Sequence, residues 1–212
     1  MARSRASMSP EERRRRKRRL RRQATVLVFL MLAFALAWFF ESQATTTVIF
    51  IRHAEVAQDG SSDPGLSAAG RARAVELARL LGEADVVAGV DAIFATQYRR
   101  TQETAAPLAE RLGLEVQVAD VADVKSLVKH ILGEWKGKVV LVVTHSEPLP
   151  RLIEKLHGSK RLPPMASGEH DNLYIVSIPW YGKVKTLRLK YGEPFVPAAD
   201  AGAAMPPVPG GQ

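Results

Sequence analysis

The chain contains no cysteine in 212 residues. Disulfides, thiolate metal sites, iron–sulfur clusters and a cysteine nucleophile are therefore excluded, and either redox compartment is compatible. Pairs of the type His-x-His are also missing, so the sequence offers no metal site of that type. No internal repeat is present. Excess charge is confined to one place. The formal net charge is +8, but residues 1–23 hold eleven of the Lys and Arg against two of the Asp and Glu. The remaining 189 residues carry 19 cations and 20 anions. A nearly neutral body excludes a basic groove for nucleic acid.

The N-terminal segment is organised as a membrane address. Residues 13–22 contain nine cations interrupted only by Leu20. Residues 24–40 then run ATVLVFLMLAFALAWFF with no charge, and Glu41 ends the run. Seventeen helical residues rise about 25 Å, the short end of what crosses a bilayer core. Trp38, Phe39 and Phe40 stand where an interfacial aromatic belt would lie, and the cationic block belongs on the cytoplasmic side. The expectation is a basic cytoplasmic arm (1–23), a transmembrane anchor or signal segment (24–40) and an exported body. A cleaved signal peptide has the same charge pattern, with Ser42-Gln43-Ala44 as its cleavage site and secretion as its consequence. A buried core helix would show a polar face, which this run lacks.

The body alternates strands and helices. Thr46–Arg52 is a β-branched apolar run, and 138–144 a second one. Short strands are expected at 91–95 and 115–118. Ser67 is placed to cap a helix carrying Val75, Leu77, Ala78 and Leu81, with Gly82 as its stop. A helix over 100–112 ends at Gly113. Val124, Leu127, Val128, Ile131 and Leu132 form an amphipathic stripe. Leu149, Leu152, Ile153 and Leu156 form another behind Pro148. Asn172–Ile178 and 184–189 alternate as a closing hairpin. The pattern predicts an α/β, three-layer sandwich over 41–195, a mostly parallel sheet flanked by helices. A disordered Pro/Gly/Ala tail is expected over 196–212.

Ligands of such sheets sit beyond the carboxyl ends of the strands. There the sequence places Arg52, His53 and Glu55, then Arg99 and Arg100, then His145 and Glu147. Arginine offers a planar donor fork matched to phosphate oxygens. An imidazole is a competent nucleophile toward phosphorus, and a second, charged imidazole can bind a transferring phosphoryl oxygen. Glu55 and Glu147 are candidates for substrate binding or for the general acid, and Asp171 could turn toward the same edge. Which of Arg99 and Arg100 faces inward is open. His130 reads as solvent-facing, His157 as a helix-terminal cation, and His170 carries no assignment.

Four segments in order also resemble the histidine phosphatase superfamily, called phosphoglycerate mutase-like. They are Arg52-His53-Ala54-Glu55, Leu66-Ser67-Ala68-Ala69-Gly70, the stretch from Thr96 through Arg100 to Ala105, and Val143-Thr144-His145-Ser146. The resemblance spans about residues 46–192. It implies a phosphoenzyme at His53, Arg52 and Arg100 as a phosphate clamp, His145 as electrostatic partner, and no metal or organic cofactor. Ala54 and Thr144 stand where the family carries glycine, which is expected to narrow the pocket. The Glu-Arg-x-x-Gly stretch of mutases and their long lid insertion are missing, so the resemblance is to a compact phosphatase, not a mutase. The expected activity is hydrolysis of an extracytoplasmic, small phosphorylated substrate. A non-catalytic phosphate-binding or envelope interaction module and a protein-phosphohistidine phosphatase remain as alternatives. Oligomeric state is not legible.

Overall fold

The computed structural model describes residues 10–41, 45–83, 89–120 and 123–197. The cleavage site at 42–44, residues 1–9 of the basic arm and the tail from 198 lie outside the described residues. The chain divides into two units, 1–43 and 44–212, each taken by itself.

The first unit is one helix, α1 (Pro10–Glu41). Its 32 residues rise about 48 Å. The basic run of residues 13–22 belongs to this helix. Within it, Arg14–Phe39 is long and apolar enough to cross a membrane or to serve as a signal sequence. Every described side chain from 14 to 39 is exposed, unlike the side chains of a core helix.

The second unit follows the order β1 (Thr46–Arg52), α2 (Ala68–Gly82), β2 (Ala92–Thr96), α3 (Arg99–Leu112), β3 (Val116–Ala119), α4 (Val124–Glu134), β4 (Val139–Thr144), α5 (Pro148–Lys155), β5 (Asn172–Ile178), β6 (Lys185–Lys190). The strands form one sheet in the order β3-β2-β4-β1-β5-β6. The pairings β1 with β4, β2 with β4 and β2 with β3 are parallel; β5 pairs antiparallel with β1 and β6.

Alternation along β1 builds both layers. Ile49 and Ile51 join Leu77, Leu81, Ala105 and Leu108 under α2 and α3. Val48 and Phe50 join Ile131, Leu149, Leu152 and Ile153 under α4 and α5. Phe50 is fully buried, and its truncation to alanine would cost about 3–5 kcal/mol. The result is the expected three-layer α/β sandwich. Two caps explain where helices begin. The Ser67 hydroxyl accepts from Gly70 N at 3.0 Å, and Asp123 accepts from Ser126 N at 2.9 Å. The second cap was not anticipated. The stripe of α4 is less covered than its spacing suggests: only Ile131 is fully buried and Leu132 is exposed.

Candidate active site

Three parallel strands deliver their carboxyl ends to one edge. Arg52 and Thr144 are register partners, and Thr96 closes β2 beside them. The next residues are His53 and His145, and Arg100 opens α3 nearby.

His53 is held by its own backbone. Its N–H donates to Thr144 O at 2.9 Å, tying it to β4. Its Nδ1 lies 2.8 Å from Ala54 O. A carbonyl can only accept, so Nδ1 carries the proton and Nε2 is left with its lone pair. The ring is buried. Burial pushes its pKa down to about 3, helped by the charges of Arg52, His145 and His170 and opposed by the Ala54 hydrogen bond. The imidazole is neutral at neutral pH, as a nucleophile must be.

The His145 ring stands edge-on to His53 with centroids 5.2 Å apart. Its Nε2 is 3.0 Å from Thr96 Oγ1, which is 2.8 Å from Thr101 Oγ1. The Thr101 hydroxyl donates to Tyr98 O at 2.7 Å. Each hydroxyl has one proton, and Thr101 also has Thr96 O in reach at 2.9 Å, so the chain runs from His145 Nε2–H through Thr96 and Thr101 to a main-chain carbonyl. His145 thus enters as a donor at Nε2. Burial, then the charges of Arg100 and Arg52, hold its pKa down to about 4. Two guanidinium groups beside His145 disfavour a third cation there. Thr96 and Thr101 were missed by the sequence reading; two buried threonines flanking a strand end were the available signal.

The arginines divide by role. Arg52 Nη1 donates to the carbonyls of Ala166 at 3.0 Å and Glu169 at 3.2 Å, which fixes the guanidinium against the loop before β5. Its Nε is buried with no hydrogen-bond partner among the described residues. The Arg100 guanidinium lies over the Tyr98 ring at 4.5 Å, and Tyr98 in turn is edge-on to His145 at 5.2 Å. Arg100 also stands 3.6 Å from Asp63. Arg99 points elsewhere: its side chain is 63% exposed and bonds Glu103 at 2.6 Å. Of the two neighbours, Arg100 belongs to the edge.

The carboxylates sort differently from the sequence reading. Glu55 is clamped by Arg73, with bonds of 2.8 to 3.1 Å to both oxygens. Arg73 is itself anchored on the carbonyls of Tyr191 and Glu193. Burial alone would raise the Glu55 pKa, but the Arg73 bonds and charge outweigh it and leave a net lowering. A carboxylate so engaged does not donate a proton, and Glu55 is corrected from candidate acid to structural partner. Asp171 is likewise committed, to Lys190 at 2.7 Å and Phe195 N at 3.0 Å. Glu147 precedes α5, is exposed, and makes no capping bond. It is the one predicted carboxylate at this edge left without a side-chain partner among the described residues.

Two motif positions acquire physical reasons. A Cβ at Gly70 would collide with the Glu55 carbonyl oxygen, so glycine lets α2 abut the chain just after His53. The Ala54 methyl is buried with Leu66 and Ala74. It fills that small cluster, which corrects the expectation that it narrows the pocket.

The main addition is His170. Buried before β5, it donates from Nδ1 to the main-chain oxygen of His53 at 2.7 Å, with its ring 5.4 Å from that of His53. His130 pairs with Glu134 on α4, away from this edge. Among the described residues, no group of three His, Asp or Glu is arranged to hold a metal ion.

A sequence model of the histidine phosphatase superfamily (branch 1) matches residues 48–121. No curated protein matches the chain by sequence. Among solved structures, the protein histidine phosphatase SixA complexed with tungstate is similar at a TM-score of 0.56 and 20% identity, over 68% of this chain and 96% of that one. The putative phosphohistidine phosphatase SixA from Agrobacterium tumefaciens gives 0.52 and 19%, over 71% and 99%. A mycobacterial glucosyl-3-phosphoglycerate phosphatase with inorganic phosphate gives 0.51 and 19%, over 70% and 97%. At such identities the structural likeness is one of fold. The sequence match over 48–121 and the shared fold make the chain similar to members of the histidine phosphatase superfamily.

Proposed function

We propose that the chain hydrolyses a small phosphorylated substrate through a phosphohistidine at His53. The observation that carries this reading is the His53 ring, neutral, with Nδ1–H spent on Ala54 O and Nε2 unprotonated. The Nε2 lone pair attacks phosphorus in line and the bond from phosphorus to the leaving group breaks. Arg52 and Arg100 hold the equatorial oxygens, and the buried, unpartnered Nε of Arg52 is a donor suited to one of them. His145 takes up a proton as the dianion arrives and then donates to a phosphoryl oxygen. Glu147 is the group assigned to protonate the leaving oxygen. Water then attacks the phosphohistidine, releasing phosphate and restoring the imidazole. No step calls for a metal or an organic cofactor.

The basic flank before the apolar segment of α1 supports a substrate outside the cytoplasm. A reporter fused after residue 195 is then active only outside.

The deciding experiment is turnover of an aryl phosphate together with trapping of radiolabelled phosphate on the protein under alkaline denaturation, which phosphohistidine survives. Loss of both in His53→Ala is expected. Full turnover by that variant ends the proposal. Phosphate binding without turnover in the parent chain selects the non-catalytic module instead.

A further inference from the structure

The end of the sheet opposite the histidines carries its own set of exposed groups. Thr46, the first residue of β1, pairs with Ile178, and Ser177 pairs with Lys185. The turn joining β5 to β6 therefore lies beside the point where the chain enters the sheet. That turn presents Trp180, 55% exposed, and Tyr181, 87% exposed, with ring centroids 6.4 Å apart. Lys183 and Lys185 follow. The start of β4 is at the same end, since Thr47 N donates to Lys138 O at 2.9 Å and Gly137 N to Thr46 Oγ1 at 2.8 Å. It adds Lys136 and Lys138. Lys138 pairs with Asp91 at 3.2 Å. Lys136, Lys183 and Lys185 are exposed and have no ion pair among the described residues.

Large rings with a polar edge and unpaired lysines are the chemistry of a surface that meets lipid headgroups. Each lysine near an anionic leaflet adds about 1 kcal/mol of attraction. Covalent connectivity selects the same end. Residues 42–45 are all that join Glu41 to Thr46, and a chain of that length reaches at most about 18 Å. Wherever α1 leaves a bilayer, the amino end of β1 and the turn beside it are kept close to the headgroups.

We propose that the β5–β6 turn, through Trp180, Tyr181, Lys183 and Lys185, docks on the anionic bilayer surface that α1 crosses. The contact rests on α1 being retained as an anchor.

The chain has no cysteine, so single labels can be placed in the full-length protein. Phe34→Cys reports the anchor, Tyr181→Cys the turn, and Gln58→Cys the loop at the opposite edge. Each carries an environment-sensitive fluorophore in nanodiscs containing phosphatidylglycerol and a lipid with a nitroxide near its headgroup. The expected result is quenching at 34 and 181 several-fold stronger than at 58. Adding Trp180→Ser, Lys183→Glu and Lys185→Glu to the Tyr181→Cys protein abolishes the quenching at 181. Quenching at 34 with no more at 181 than at 58 overturns the docking alone. No quenching at 34 overturns the anchor, and the docking falls with it.

Discussion

The Nδ1–H of His170 bonds the main-chain oxygen of His53 at 2.7 Å, so one buried histidine holds the backbone from which another projects. The contact fixes the peptide between His53 and Ala54, and that peptide's neighbour, Ala54 O, fixes the His53 tautomer. Removing it leaves a buried carbonyl unpaired, at a cost of about 1–3 kcal/mol. His170→Leu should lose that much stability in urea unfolding. Its kcat should fall roughly 10- to 100-fold with KM little changed, since the nucleophile is misplaced and not removed. Asparagine can donate from a similar position, so His170→Asn should recover most of both. A leucine variant with parental kcat would show that His170 has no positioning role.

His53 and His145, at about 3 and about 4, both sit below the ordinary histidine value of 6.5. The folded chain thus binds fewer protons than the unfolded chain between these values, and protonation favours unfolding. Stability from these two rings is complete above about 6.5 and is lost as pH falls through about 4 and about 3. The unfolding midpoint should drop across that window, and drop less in His145→Asn. An oxyanion reverses part of this by offsetting the guanidinium charges beside His145 and raising its pKa. Tungstate should therefore bind with proton uptake, tightening as pH falls through the ordinary histidine range. Calorimetry in buffers of different ionisation heat reads that proton directly. Proton release on binding would contradict the assignment.

The same histidines show where sequence reading stops. The strand-end residues were legible because β-branched runs mark buried parallel strands, and such strands aim their carboxyl ends at one edge. Arg52, His53, Arg100 and His145 follow from that rule. His170 does not, because it lies in an aperiodic loop. Only the antiparallel register that sets Leu173 beside Ile51 brings it under His53. The Glu55–Arg73 clamp was hidden for a similar reason. Its partners are 18 residues apart and meet only when Gly70 allows α2 to lie on the Glu55 backbone. The choice between Arg99 and Arg100 depended on which one Tyr98 and Glu103 would claim, a question of side-chain packing that spacing does not answer.

Glu55 and Glu147 should separate stability from turnover. Arg73 is buried and its charge is met by Glu55. Glu55→Gln leaves that cation undercompensated, and a loss of roughly 2–3 kcal/mol is expected, moderated because Glu55 is partly solvated. Turnover by the folded fraction should change little. Glu147→Gln touches no bond in the fold and should leave stability within about 0.5 kcal/mol. Its turnover of an alkyl phosphate should fall roughly 100-fold, while an activated aryl phosphate, whose leaving group needs little proton help, falls far less. Equal loss on both substrates would remove Glu147 from the role of acid.

Arg99 and Arg100 are adjacent in sequence and opposite in setting, which makes them a matched test of the phosphate clamp. Arg99 is a solvated cation paired with Glu103 at a helix surface, where solvent screening leaves the pair weak. Arg99→Ala should leave both stability and kcat/KM near the parental values. Arg100 has a 20% exposed side chain stacked on Tyr98, beside His145, and its planar fork suits two phosphate oxygens at once. Arg100→Ala should lower kcat/KM by roughly 100- to 1,000-fold, the scale of losing one preorganised donor to a developing charge. Arg100→Lys should recover little, because an ammonium neither stacks on Tyr98 as the guanidinium does nor bonds in two places. If Arg100→Lys restores activity, charge alone suffices and the stacked geometry over Tyr98 has no part in the chemistry.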